Sequence, residues 1–315
     1  MLVSLLWFGL GLTLLILGAD WFLRGASGVA IRYGISPFVV GLLIIGFGTS
    51  SPELAVNVSA VLRGSYDLAL GNVVGSNIAN IGLILGLSAL LAPLAVHMRL
   101  LRIETPLMIL VGVLLWVLCL DLRLGRGDGI LLLVGFAGLL AYVARTARME
   151  SAEVQSEFGD LARTRPGLKR NLAKLAIGLA VLLLGADLMV DSAVTLARLW
   201  GWSELVIGLT VVAIGTSLPE LASSLLAARR GQTDIAVGNV VGSCLFNILL
   251  ILGVTATLQP LPVASGMRWV ELPVMILFSA ALYPILRRGL SVTRAEGALL
   301  LLAFVGFTGW QVWAA

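Results

Sequence analysis

The chain has 315 residues, 59% of them hydrophobic and 12% charged, with a mean hydropathy of +1.04 and a formal net charge of +4. So apolar a composition excludes a soluble globular domain, because much of the surface must meet lipid. The small basic excess sits in short loops between apolar runs and gives no nucleic-acid footprint, and two cysteines, Cys119 and Cys244, exclude a disulfide scaffold.

Backbone that spans a bilayer is helical or a closed barrel, and apolar runs of roughly 20 residues specify helices. Ten spans are predicted, at roughly 3–23, 36–62, 67–93, 101–119, 127–145, 171–193, 203–228, 233–257, 269–286 and 295–313. The first has no basic region ahead of it and matches a run in the second half, so it reads as a spanning helix and not a cleaved signal. The long polar segment from Arg145 to Lys174 is too short and too charged to bury a core. The expected organisation is therefore a first five-helix unit at 1–147, a linker at 148–170 and a second unit at 171–315.

The two units are copies. Gly46-Phe-Gly-Thr-Ser-Ser-Pro-Glu53 returns as Ala213-Ile-Gly-Thr-Ser-Leu-Pro-Glu220, an offset of 167 (220 − 53 = 167). The same offset pairs Gly18-Ala-Asp20 with Gly185-Ala-Asp187, Gly71-Asn-Val-Val-Gly-Ser76 with Gly238-Asn-Val-Val-Gly-Ser243, and Leu83-Ile-Leu-Gly86 with Leu250-Ile-Leu-Gly253. Five spans per copy is an odd number, so the second copy enters the membrane from the opposite side. The fold class is then an all-α polytopic membrane protein of two inverted repeats, with broken helices in spans 2 and 7. With both termini outside a cell membrane, sixteen Lys and Arg fall at cytoplasmic ends and five (Arg63, Arg123, Arg126, Arg198, Arg268) outside, accounting for all 21. The linker charges, His97 and the tryptophans read as solvated loops and interfacial anchors.

The repeated motif places polar groups on one helix face. Thr49 and Ser50 lie four and three residues before Glu53, and Thr216 and Ser217 repeat this before Glu220. Pro52 and Pro219 cannot donate to the carbonyls of Gly48 and Gly215, so each helix should break beside its glutamate and release a carbonyl. On the next helices Ser76 and Asn80 are four apart, as are Ser243 and Asn247, while Gly71/Gly75 and Gly238/Gly242 permit close helix approach. The donor set is all oxygen, which suits a hard cation, calcium or sodium. No basic side chain lies near Glu53 or Glu220 in sequence, and an unpaired carboxylate there would cost several kcal/mol. The counter-charge must come from solution, as metal ions or protons.

With these residues set out, the chain resembles the sodium/calcium exchanger family, within the wider cation/calcium antiporters. The resemblance rests on GTSxPE in a broken helix followed by Gly71-Asn-Val-Val-Gly-Ser-Asn-Ile-Ala-Asn80, and covers both halves but not the linker. It implies that Glu53 and Glu220 bridge calcium, helped by oxygens of Thr49 and Thr216. Sodium sites would use the same glutamates with Ser50, Ser217, Ser76, Ser243 and the carbonyls of Gly46 and Ala213. Some relatives carry an aspartate at a position matching Asn80 or Asn247; both are Asn here. In the potassium-dependent branch an aspartate in the second repeat accompanies potassium transport, so Asn247 favours a potassium-independent exchanger. Cys244, opposite Asn77, places a thiol near the site without acting as a ligand.

The expected function is secondary antiport of sodium against calcium by alternating access, with no enzymatic activity, no cofactor, no protein partner and the bilayer as surroundings. A proton/calcium antiporter of the same fold is the nearest alternative, since a buried glutamate pair can also trade protons; the many hydroxyls and amides favour sodium. A channel would not need two mirror-related gates. An intramembrane aspartyl protease would use Asp20 and Asp187, but these lack a GxGD context and leave the glutamate motifs unexplained. A capping or gating role suits the two aspartates better.

Overall fold

A computed structural model describes residues 1–96, 98–147, 167–201 and 213–314. The first unit comprises α1 (Leu2–Tyr33), the bent pair α2 (Pro37–Thr49) and α3 (Ser51–Leu62), α4 (Tyr66–Leu91), α5 (Leu100–Leu118) and α6 (Arg126–Ala147). The second comprises α7 (Leu168–Leu199), α8 (Ala213–Thr216) and α9 (Leu218–Arg229), α10 (Thr233–Leu258), α11 (Met267–Gly289) and α12 (Arg294–Ala314). Among the described residues eight helices are long and apolar enough to cross a membrane, and α2 with α3, bent by 41°, makes a ninth. The span expected at 203–228 falls partly on residues 202–212, outside the described ones, as do His97 and linker residues 148–166.

α1 runs ten residues past its expected end at 23 and stops where Gly34 takes a left-handed φ of 63° and donates to the Ala30 carbonyl. The extension carries Arg24 and Arg32, which lower its hydropathy, but its glycines let it lie against α7. A Cβ on Gly25 would come within 2.5 Å of the Leu175 amide, and one on Gly28 within 2.5 Å of the Asn171 side chain. The two long helices pack antiparallel, Gly11 meeting Met189, Gly18 meeting Leu182 and Gly25 meeting Leu175. The relation is reciprocal: Gly178 meets Phe22 and Gly185 meets Leu15, the contacts obtained by exchanging the copies.

Two strand pairs repeat this exchange. β1 (Leu94–Ala95) pairs antiparallel with β4 (Ser291–Val292), and β2 (Arg123–Leu124) with β3 (Leu261–Pro262). Leu94 faces Val292 and Leu261 faces Leu124. These two matches coincide if the offset becomes 168 beyond α5, which the positive-φ residues Leu122 and Leu290 also give (290 − 122 = 168). The last helix of each unit crosses to the other unit's α4 or α10. A Cβ on Gly129 of α6 would sit 2.8 Å from the Gly253 carbonyl of α10, and one on Gly297 of α12 would sit 2.8 Å from the Gly86 carbonyl of α4.

Among the described residues five stretches wind as π-helix: Val40–Ile45, Asn80–Leu85, Leu100–Glu104, Asn247–Leu252 and Met267–Glu271. The pattern of apolar residues does not announce them. Two begin at Asn80 and Asn247, and widened turns of this kind gather at functional sites.

Candidate functional site

Both copies of the motif break at the same place. Ser50 (φ −85°, ψ 4°) and Ser217 (φ −91°, ψ 7°) leave the helical region, and Pro52 and Pro219 open the helices that follow. Glu53 and Glu220 therefore sit in the first turn of α3 and α9, where a carboxylate meets the positive end of the helix dipole. They are 2% and 1% exposed and lie close enough to interact electrostatically. Among the described residues neither is in an ion pair, whereas buried Glu104 is held by Arg99 at 2.6 Å.

Ser50 ties the two copies together. Its hydroxyl donates to Glu220 Oε1 at 3.1 Å and shares a hydrogen bond with Ser243 Oγ at 3.0 Å. The mirror residue Ser217 is buried with no hydrogen-bond partner among the described residues. Thr49 is fully buried, its hydroxyl 3.0 Å from the Ile45 carbonyl and 3.3 Å from Asn239 Oδ1, while Thr216 is half-buried and donates to Asn72 Oδ1 at 3.5 Å. Asn247 Nδ2 donates to Asn77 Oδ1 at 2.9 Å, and Asn80 lies beside the Cys244 thiol. Five buried oxygens of the candidate residues have no hydrogen-bond donor among the described residues: Glu53 Oε2, Glu220 Oε2, Ser217 Oγ, Asn80 Oδ1 and Asn247 Oδ1.

Other candidates are placed differently. Gly46 accepts the Ser50 amide at 3.0 Å, and Ala213 opens α8. Ser76 and Thr216 line a cavity of about 380 Å³ that runs to Asp67 at the start of α4 and Gln311 near the end of α12. The Gly48 carbonyl, expected to be left open by Pro52, accepts the Ser51 hydroxyl at 2.6 Å. Leu218 stands in place of Ser51 in the second copy and offers no such donor. Gly238 and Gly242 do serve close packing, since Cβ atoms there would lie 2.6 Å from the Phe38 carbonyl and 2.5 Å from the Leu42 carbonyl. Gly71 and Gly75 have no such neighbour among the described residues.

Asp20 and Asp187 are not brought together. In the antiparallel pairing Gly18 meets Leu182 and Gly185 meets Leu15, which separates the aspartates by about two helical turns, roughly 10 Å. Asp20 is paired with Arg24 at 2.8 Å and with Arg230 of the other unit. This geometry offers no aspartyl dyad.

Asn72 and Asn239, not among the residues expected at the site, lie inside the repeated Gly-Asn-Val-Val-Gly-Ser blocks, one turn before Ser76 and Ser243. Asn239 is fully buried and bonded to Thr49, Ser224 and the Glu220 carbonyl. Their i−4 spacing to the serines was the available signal. Among the described residues no three His, Cys, Asp or Glu side chains gather as a metal cluster. The assembled donors are two carboxylates among neutral oxygens, a set chemically matched to hard cations.

The sequence profile of the family described as "Sodium/calcium exchanger protein" matches residues 3–145 and 171–313. CaxA of Alkalimonas amylolytica, whose given name calls it an antiporter, is 41% identical over 98% of this chain and 98% of its own length. The sodium/calcium exchanger MaX1 of Methanosarcina acetivorans is 34% identical over 95% of each chain. A solved structure of the sodium-calcium exchanger NCX_Mj, soaked with zero Na+ and Ca2+, superposes with a TM-score of 0.85 at 34% identity, covering 97% of this chain and 98% of that one. The chain belongs to the sodium/calcium exchanger family and is a multi-pass membrane transporter, not an enzyme.

Proposed function

We propose that the chain exchanges sodium for calcium across the membrane by alternating access, with Glu53 and Glu220 as the charged ligands shared by both ions. The observation that carries this reading is the group of five buried oxygens without a donor, two of them from carboxylates with no basic partner among the described residues. A buried polar atom left unpaired costs about 1–3 kcal/mol, and a charged one more. One calcium ion, or two sodium ions, would balance both carboxylates and supply the missing positive partner to the neutral oxygens. Thr49, Thr216, Ser50, Ser217, Ser76, Ser243, Asn80 and Asn247, with the carbonyls of Gly46 and Ala213, are the proposed oxygen ligands around that pair.

Antiport follows from the charge. With both carboxylates bare, the site carries two negative charges in a low-dielectric interior, and closing it from water on both sides is strongly opposed. Loaded with cations it is close to neutral, so the loaded protein can change the side it opens to. The reciprocal packing of α1 on α7 and the matched strand pairs support a ten-helix arrangement of inverted repeats. The Lys and Arg bias supports a cell-membrane protein with termini outside and a cytoplasmic linker. In that orientation the cavity beside Ser76 opens outward, and the tight contacts of Gly238 and Gly242 with α2 close the cytoplasmic side. Asn247 supports potassium-independent exchange, and no organic cofactor or protein partner is invoked.

The test is calcium uptake into proteoliposomes with and without an opposing sodium gradient, in the presence of a proton uncoupler. Sodium-dependent uptake that survives the uncoupler is expected. Uptake that ignores sodium and collapses with the uncoupler would replace this reading by proton/calcium antiport, which the same carboxylates could serve.

A further inference from the structure

We infer that Asn239, and in the other copy Asn72, are positioning residues that aim the hydroxyls of Thr49 and Thr216 into the ion site from across the repeat interface. The inference rests on the ion site proposed above. A threonine inside a helix ordinarily donates its proton to the carbonyl one turn back, which fixes where its lone pairs point. Thr49 has that option in the Ile45 carbonyl at 3.0 Å, with the Gly46 carbonyl at 3.4 Å, but it also has an acceptor across the repeat interface, Asn239 Oδ1, at 3.3 Å. The Asn239 amide is not free to turn. Its Nδ2 donates to Ser224 Oγ at 2.8 Å and to the Glu220 carbonyl at 3.3 Å, both on α9, so its oxygen must face Thr49. One buried side chain on α10 thus fixes the backbone carbonyl of one acidic ligand and the hydroxyl beside the other.

The first copy is wired differently. Thr216 donates to Asn72 Oδ1 at 3.5 Å, but Asn72 Nδ2 has no partner among the described residues. The position matching Ser224 is Asn57, which donates to the Glu53 carbonyl itself at 2.8 Å. Asn72 is therefore an unanchored version of the same device, half-buried at the cavity wall. Asn239 should matter more than Asn72 in the outward-open arrangement.

The experiment is a double-mutant cycle on the apparent calcium KM of sodium-driven uptake, combining Asn239→Ala with Thr49→Val. Asn239→Ala is expected to raise KM roughly fivefold to tenfold, the effect of losing one neutral hydrogen bond, with a smaller change in maximal rate. Added to Thr49→Val it should change KM less than twofold, because the hydroxyl it aims is gone. Added to Thr216→Val it should multiply. Asn72→Ala should raise KM less than Asn239→Ala does. Full multiplication of the Asn239 and Thr49 effects, or a fall in folded protein and maximal rate with KM unchanged, would reduce Asn239 to a structural amide and overturn the inference. A KM untouched by Thr49→Val alone would instead remove Thr49 from the ligands, and the inference with it. Asn239→Ser, which keeps a small polar group, supplies the KM reading if Asn239→Ala fails to fold.

Discussion

The asymmetry between Ser50 and Ser217 gives a sharp test, because the two serines are equivalent in sequence and differ in bonding. Ser50→Ala removes a hydrogen bond to a carboxylate, worth about 1.5–3 kcal/mol, and a neutral one to Ser243, worth about 1 kcal/mol. It also strips Glu220 Oε1 of a donor. The expected loss is about 2.5–4 kcal/mol from the ion-free protein. Ser217→Ala removes a buried hydroxyl that bonds nothing among the described residues, so its expected change is under about 0.5 kcal/mol. The assay is thermal unfolding of the purified protein in detergent with chelator and no sodium, where Ser50→Ala should lower the midpoint by several degrees and Ser217→Ala should leave it in place. Adding calcium should then raise the midpoint of wild type more than that of either variant, since both lose an ion ligand. Equal midpoints for the two variants without ions would refute the bonding on which the site is built.

Other outcomes are equally specific. Asp20→Asn, which breaks the pairing with Arg24 and Arg230, should cost about 1 kcal/mol, and Asp187→Asn, exposed, less than about 0.5 kcal/mol; unfolding midpoints in the reverse order would contradict that assignment. Orientation is read by cysteine labelling in a Cys119→Ser, Cys244→Ser background, where a thiol at Glu157 should react only from the cytoplasm and one at Gly125 only from outside. Labelling of both from one side would overturn the inverted topology. Asn247→Asp adds a third acid one turn from Ser243 and should shift the preference between sodium and calcium. In wild type, more than two sodium ions per calcium would leave net positive charge, so flux at clamped potentials should depend on voltage; voltage-independent flux would limit exchange to two sodium ions.

Much of this molecule is legible from the residues alone. The 167-residue offset, the break at Pro52 and Pro219 and the burial of both glutamates without a basic partner among the described residues all follow from residue types and spacing. The end of α1 was not legible, because Arg24 and Arg32 lower the hydropathy while Gly25 and Gly28 do the packing, and packing has no local signature. The π-turns at Asn80 and Asn247 depend on backbone fit between helices and leave the apolar pattern unchanged. Ser51 takes the Gly48 carbonyl that Pro52 releases, a contact set by the backbone turn at Ser50 and not by residue spacing. Asn239 was inside a recognised block, but its role needs Thr49 and Ser224 as neighbours, which only the folded chain supplies.

The central claim is that sodium and calcium share Glu53 and Glu220, and equilibrium binding of calcium to the purified protein during a sodium titration tests it most directly. Calcium takes several carboxylate oxygens, and each glutamate supplies half of the fixed charge. Wild type should bind calcium and release it competitively as sodium rises, while Glu53→Gln and Glu220→Gln should each lose calcium binding by orders of magnitude, since one carboxylate attracts even a monovalent cation at 4 Å by about 4 kcal/mol. Calcium binding that persists in either variant, or that is indifferent to saturating sodium in wild type, would contradict the account.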